Sequence, residues 1–197
     1  MEKERRMKVD YRQCLATLKE VSFDDDNDIS LIDDEQKEHR VYNFDGVSKK
    51  LCKKLRGEKN FSCDAYYVKR EDDTYLIEFK NQPEGNIDQK KLKNKIYDSI
   101  TTIVMNEDIL PETVIQRTSV IIVYNNELET LRNESSYSAS KYFSKFSGKL
   151  SCLANKQGLD AFEKKFKLVN YRGTLFKEVY TVDKADFVHT FIDYLFE

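Results

Sequence analysis

The run TSVIIVY at residues 118–124 leaves the chain few architectures. A strand with one wet face alternates apolar and polar residues, whereas an unbroken apolar strand sits in a sheet covered on both faces. The neighbouring segments supply that sheet and its cover. CDAYYV and TYLIEF, residues 63–68 and 74–79, are extended runs joined by the polar KREDD, which reads as a hairpin. NIDQKKLKNKIYDSITTIVMNE, residues 86–107, spaces Ile87, Leu92, Ile96, Ile100 and Ile103 or Val104 as one face of a helix. A helix between the hairpin and the run at 118–124 makes a parallel crossover the expected link.

The flanks add further elements. Residues 1–20 read as a helix with Tyr11, Leu15 and Leu18 on one face. GVSKKLCKKLRG, after the short apolar RVYNF, is a helix with Val47, Leu51, Cys52 and Leu55 along its stripe. Residues 134–154 and LDAFEKKF read as helical, and LFKEVYTV as a strand. DKADFVHTFIDYLF reads as a closing helix capped by Asp183, with Val188, Phe191, Ile192 and Leu195 inward. The fold class expected is α/β: a mixed β-sheet flanked by helices, with α/β additions at both ends of a core over residues 45–125. At 197 residues, one domain spanning 1–197 is the simplest partition, with 22–38 an acidic loop and 126–197 a C-terminal extension.

Composition removes several function classes. Lysine plus arginine (33) nearly balances aspartate plus glutamate (35), so no global field gathers nucleic acid or lipid, and nucleic-acid contact requires a local patch. No run is long and apolar enough to span a membrane, and the N-terminus lacks a secretory apolar stretch. Four cysteines without a CxxC pair read as reduced thiols, which makes the cytoplasm the expected location. His39 and His189 lack partners at ligand spacing, which disfavours zinc and leaves carboxylates as the candidate chemistry. Between Ser22 and Glu38 eight acids face one base. Asp24, Asp26, Asp28 and Glu35 overlap the spacing of a calcium loop, but Ile29 stands where the sharp turn needs glycine, so a solvated acidic loop is the preferred reading.

Glu78 and Lys80 interrupt the apolar run YLIEFK. Acid-x-lysine occurs four times in the chain, at Glu35, Glu78, Asp88 and Glu163, but only Glu78 and Lys80 stand in an apolar strand. Alternation projects Leu76, Glu78 and Lys80 to one face and Tyr75, Ile77 and Phe79 to the other. If Arg70 pairs with Thr74 across a three-residue turn, Asp64 falls opposite Lys80 and diagonal to Glu78 on that face. A register changed by one residue would separate them. Two adjacent carboxylates repel unless a cation lies between them, and an oxygen-rich site suits Mg2+ or Mn2+. The bland alternative is a solvent-facing ion pair with Asp64 as a turn residue.

Asp64, the Glu78-Phe79-Lys80 strand end, the helix and the apolar strand after it together resemble the PD-(D/E)XK nuclease superfamily, the restriction-endonuclease-like proteins, over about residues 45–125. The resemblance implies an αβββαβ core. It also implies a divalent metal held by Asp64, Glu78 and the Phe79 carbonyl, with Lys80 serving the attacking water. The chain departs from the pattern at Cys63, where a proline often precedes the aspartate. The first core strand is not evident, and the helical acid often found upstream has weak candidates in Asp45 and Glu58. The function expected is metal-dependent phosphodiester hydrolysis, in DNA before RNA, by Asp64, Glu78 and Lys80. The alternative is an inactive nuclease-like fold acting as a protein-binding, immunity or regulatory module. Lys90, Lys91, Lys93 and Lys95 open the following helix, and the first three are the candidate phosphate contacts, although lysine clusters are usually solvated faces. A homodimer or a protein partner is compatible with the sequence.

Overall fold

The computed structural model describes residues 8–34, 39–58, 61–127 and 165–197. Six strands form one mixed sheet in the order β1-β4-β5-β6-β7-β8: β1 Leu15–Thr17, β4 Arg40–Asn43, β5 Ala65–Arg70, β6 Asp73–Lys80, β7 Thr118–Tyr124 and β8 Val179–Asp183. Strands β1 through β6 pair antiparallel, and β6-β7 and β7-β8 pair parallel. β2 Phe23–Asp24 and β3 Ile29–Ser30 form a separate small hairpin. Helix α1, Phe44–Leu55, follows β4 directly; α2, Gln89–Glu107, and α3, Pro111–Arg117, fill the crossover from β6 to β7.

Every residue of β7 is buried, as its unbroken apolar sequence requires. On one face, Tyr66, Leu76, Val120, Ile122 and Val179 pack against Phe44, Val47, Leu51, Leu92, Ile96 and Ile103 of α1 and α2. On the other, Tyr75, Ile77, Phe79, Ile121 and Val123 pack against Leu18, Ile32, Phe187, Phe191 and Leu195. The alternation expected for β6 therefore holds, with both faces covered. Local chemistry fixes the helix starts. The Asn43 side chain accepts from the Gly46 amide, and Asp88 accepts from the amides of Lys90 and Lys91, supplying partners to otherwise unpaired first-turn donors.

Four expectations change. The hairpin register differs: Val68 pairs with Thr74 and Ala65 with Ile77, a bulge falls between Val68 and Arg70, and Arg70 meets Asp73. This moves Asp64 from opposite Lys80 to beside Glu78. The displacement is even, so every side chain keeps its face. The helix expected over residues 1–20 is reduced, in the described part, to one helical turn at Leu18–Val21. Asp10 caps a single 3-10 turn, Tyr11–Cys14, and the chain then extends as β1. Cys14 and Ala16 are buried and Leu15 is exposed, the period of a strand, because β1 completes an edge of the sheet beside β4. The acidic stretch is not a plain loop but contains the β2–β3 hairpin, with Ile29, at the position where a calcium loop would turn sharply, in β3 and paired to Asp24; Glu35 lies outside the described residues. The closing helix, residues 184–196, begins at the expected cap, where Asp183 accepts from the Asp186 amide. Its middle winds as a π-helix, Phe187–Phe191, which turns Phe187 inward and leaves Val188 exposed.

The segments expected to be helical at 134–154, and most of LDAFEKKF, lie outside the described residues. The described residues of the C-terminal stretch join the core, since β8 extends the same sheet and residues 184–196 cover its second face. No helix among the described residues is long and apolar enough to cross a membrane. Cys14, Cys52 and Cys63 are free thiols, and Cys152 lies outside the described residues.

Candidate functional site

Asp64 sits one residue before β5 and is tied on three sides. Its amide donates to Ile77 O at 3.1 Å, its carbonyl accepts from the Phe44 amide at 3.0 Å, and its Oδ2 accepts from the Phe79 amide at 2.7 Å. Because β5 starts only at Ala65, the carboxylate takes over a strand-edge donor of β6. That use of Oδ2 leaves Oδ1 on the side of α2. The preceding residue is fixed too: Ser99 of α2 accepts from the Cys63 amide at 2.8 Å and donates to Lys95 O at 2.7 Å.

Glu78 lies near the end of β6, between Asp64 and the parallel partner Ile122. Its side chain is 0% exposed, while those of Asp64, Lys80 and Lys95 are about a quarter exposed. Two ammoniums reach one oxygen: Lys80 Nζ stands 2.6 Å and Lys95 Nζ 2.7 Å from Glu78 Oε1. Lys95 also stands 3.4 Å from Asp64 Oδ1. The second oxygen, Oε2, is buried without a hydrogen-bond partner among the described residues. A buried carboxylate oxygen without a donor is costly, so its neighbourhood is electrostatically unfinished.

The electrostatics follow from this geometry. Burial, then repulsion from Glu78, raises Asp64 to about 7, with Lys95 acting against the rise. Burial opposes the charge on Lys95, but attraction to Glu78 and then Asp64 outweighs it, so its pKa lies above the ordinary lysine value and it stays cationic. Burial, then Glu78, pushes the Cys63 thiol far up, which leaves it protonated and unreactive.

Asp64, Glu78 and Lys80 are thus brought together as expected, while the lysines of α2 part company. Lys90 and Lys91 are exposed on the first turn. Lys93 turns toward Tyr171, 3.4 Å from its hydroxyl and 5.5 Å from its ring centre. Lys95 belongs to the carboxylate site and not to a basic surface. It lies between Leu92 and Ser99 on the inward side of the helix, whose buried residues also include Ile96, a spacing that by itself allows the side chain an inward or an outward course. Asp45 is engaged elsewhere, by Ser62 at 2.6 Å and Lys49 at 2.8 Å, and Glu58 is exposed. The Phe79 ring packs into the second core, edge-on to Phe187 with centres 5.8 Å apart.

A polar cleft opens onto Asp64 and Lys80, and the acidic β2–β3 hairpin with its Asp24, Asp25 and Asp26 forms its other wall. Burial works against ionisation of Asp24, but donors from Asn27, the Asp26 amide and Asn81 outweigh it and hold the carboxyl below its usual range. Among the described residues no three His, Cys, Asp or Glu side chains converge, so Asp64 and Glu78 form a pair and not a larger acidic cluster. No family model, curated protein or solved structure matches this chain.

Proposed function

We propose that the chain is a divalent-metal-dependent nuclease of the PD-(D/E)XK kind, hydrolysing phosphodiester bonds in DNA before RNA. The observation that carries this reading is the convergence of Asp64, Glu78 and Lys80 at the end of β6, with one buried Glu78 oxygen left unpartnered. The arrangement of strands supports it. β4, β5 and β6 form an antiparallel meander, and β7 joins parallel to β6 through helices, although α1 follows the first of these strands instead of preceding it.

The donor set fits a magnesium or manganese ion on the evidence of that unpartnered oxygen and of its all-oxygen chemistry. The Asp64 and Glu78 carboxylates and the Phe79 carbonyl are the groups that would hold it. Such an ion polarises the phosphodiester and lowers the pKa of bound water. Lys80, a quarter exposed and lining the cleft, orients the attacking water and offsets negative charge that develops on the phosphate. Asp64 positions the strand end through its bond to the Phe79 amide. Lys90 and Lys91 offer charge to a phosphate backbone, with Lys91 about 6 Å from Lys95 along the helix axis. The acidic hairpin repels phosphates from the opposite wall, which leaves one side of the cleft for the strand.

The test is cleavage of linear, circular and single-stranded DNA, and of RNA, by purified protein in magnesium or manganese. Cleavage that disappears in Asp64→Asn and Glu78→Gln supports the reading, and equal activity in those variants refutes it. A second reading, an inactive fold that binds protein, is favoured by the presence of Lys80 and Lys95, two ammoniums that already serve the carboxylates without a metal. It predicts no metal-dependent cleavage and partner capture that survives both substitutions.

A further inference from the structure

Lys95 stands where two converging carboxylates call for a cation. Its ammonium lies 2.7 Å from Glu78 Oε1 and 3.4 Å from Asp64 Oδ1, on the inward side of a 19-residue helix. Lys80 already supplies one positive charge to the same Glu78 oxygen at 2.6 Å. With both carboxylates ionised, the two ammoniums balance them, so the site has no negative charge left over for a further cation. A divalent ion entering beside both lysines would leave two uncompensated positive charges around a carboxylate that is 0% exposed, an arrangement that desolvation makes costly. One lysine therefore has to give way. Lys80 is within ion-pair distance of Glu78 but not of Asp64, whereas Lys95 is within it of both carboxylates, so Lys95 is the group a shared cation would displace.

We propose that Lys95 is a cation lock. Its ammonium holds the metal position in the free protein, and a divalent ion binds Asp64 and Glu78 only when that side chain withdraws. This rests on the reading of those two residues as metal ligands. The side chain has the means to withdraw. Its four-carbon stem is flexible, and about a quarter of it is already in solvent, so the ammonium can reach water without moving the helix. Ser99 takes the Cys63 amide independently of the Lys95 side chain, so the strand end bearing Asp64 keeps its anchor when the ammonium leaves. A site competent for only a fraction of the time binds more weakly in proportion to that fraction. Removing the ammonium therefore exposes the intrinsic affinity of the carboxylates for metal.

Manganese alone is the probe, followed by paramagnetic resonance and calorimetry on the full chain. Lys95→Gln and Lys95→Met are each compared with wild type, with Glu78→Gln alone, and with the same substitutions combined with Glu78→Gln. The lock predicts binding about tenfold or more tighter in both Lys95 variants, with the gain abolished by Glu78→Gln. The Gln variant keeps a hydrogen-bond donor for Glu78 and stands in should the Met variant fold poorly. Manganese binding that depends on Glu78 but is equally tight with and without Lys95 overturns the lock and leaves the metal reading intact. No Glu78-dependent binding in any variant overturns the metal reading, and the lock falls with it.

Discussion

Lys80 and Lys95 approach the same oxygen of Glu78, at 2.6 and 2.7 Å, while the other oxygen has no partner among the described residues. Removing one cation leaves the fully buried carboxylate undercompensated, whereas removing the carboxylate with it removes the need. Lys95→Met should cost about 2 kcal/mol, less than a wholly orphaned buried charge loses because Lys80 remains. The double variant Lys95→Met/Glu78→Met should cost less than the Lys95 change alone. Urea unfolding of the single and double variants measures the coupling; simply additive losses would refute it.

Asp64 makes stability depend on pH. Burial, then Glu78, raises it from 3.8 to about 7, so between those values the folded protein keeps a proton that the unfolded chain has lost. Stability contributed by this group is full below about 3.8 and declines as pH rises through about 7. Asp64→Asn removes the titration. Wild type should therefore lose stability relative to Asp64→Asn as pH rises from 4 to 7, measured by denaturant unfolding across the range. A difference that is flat or grows the other way would show that Asp64 is not held as described.

Ser99 holds the chain before Asp64 by accepting from the buried Cys63 amide at 2.8 Å. Ser99→Ala leaves that amide without its acceptor and should cost about 1–3 kcal/mol. Amide exchange should speed up at Cys63 and Asp64 before it does in β7. Unchanged protection at Cys63 would mean that another group serves the amide.

Asn106 clamps the N-terminal segment to the end of α2. Its Oδ1 accepts from the Val9 amide at 2.6 Å and its Nδ2 donates to Val9 O at 3.0 Å, with both residues buried. Asn106→Ala strands two buried backbone groups and should cost about 2 kcal/mol or more. The protein should also become more open to proteolysis around residues 8–17 at an unchanged β7 core. Equal cutting in the variant and wild type would refute the clamp.

The hairpin, the long helix after it and the buried parallel strand were legible because each carries its own period: alternation in β6, a helical stripe in α2 and an unbroken apolar run in β7. The convergence of Asp64 with Glu78 was legible for the same reason. The register was off by two residues, through the turn and the bulge near Lys69, but an even displacement keeps a side chain on its face. The N-terminal segment misled because Tyr11, Leu15 and Leu18 fit a helix as spaced, while pairing with β4 drew Leu15–Thr17 into the sheet.

Alternation and periodicity by themselves determined which face Glu78 and Lys80 share, and that a helix and a parallel strand follow them. They could not determine where Lys95 points. A lysine beside an apolar stripe can run its stem outward to water or inward to a carboxylate, since the stem is apolar and either course is locally acceptable. The rotation of α2 against the sheet settles the choice. That rotation is set by Leu92, Ile96 and Ile103 packing on Tyr66, Leu76 and Ile122, residues far apart in sequence. Only the packed structure therefore places a third charged side chain between Asp64 and Glu78, and leaves one oxygen of Glu78 without a partner.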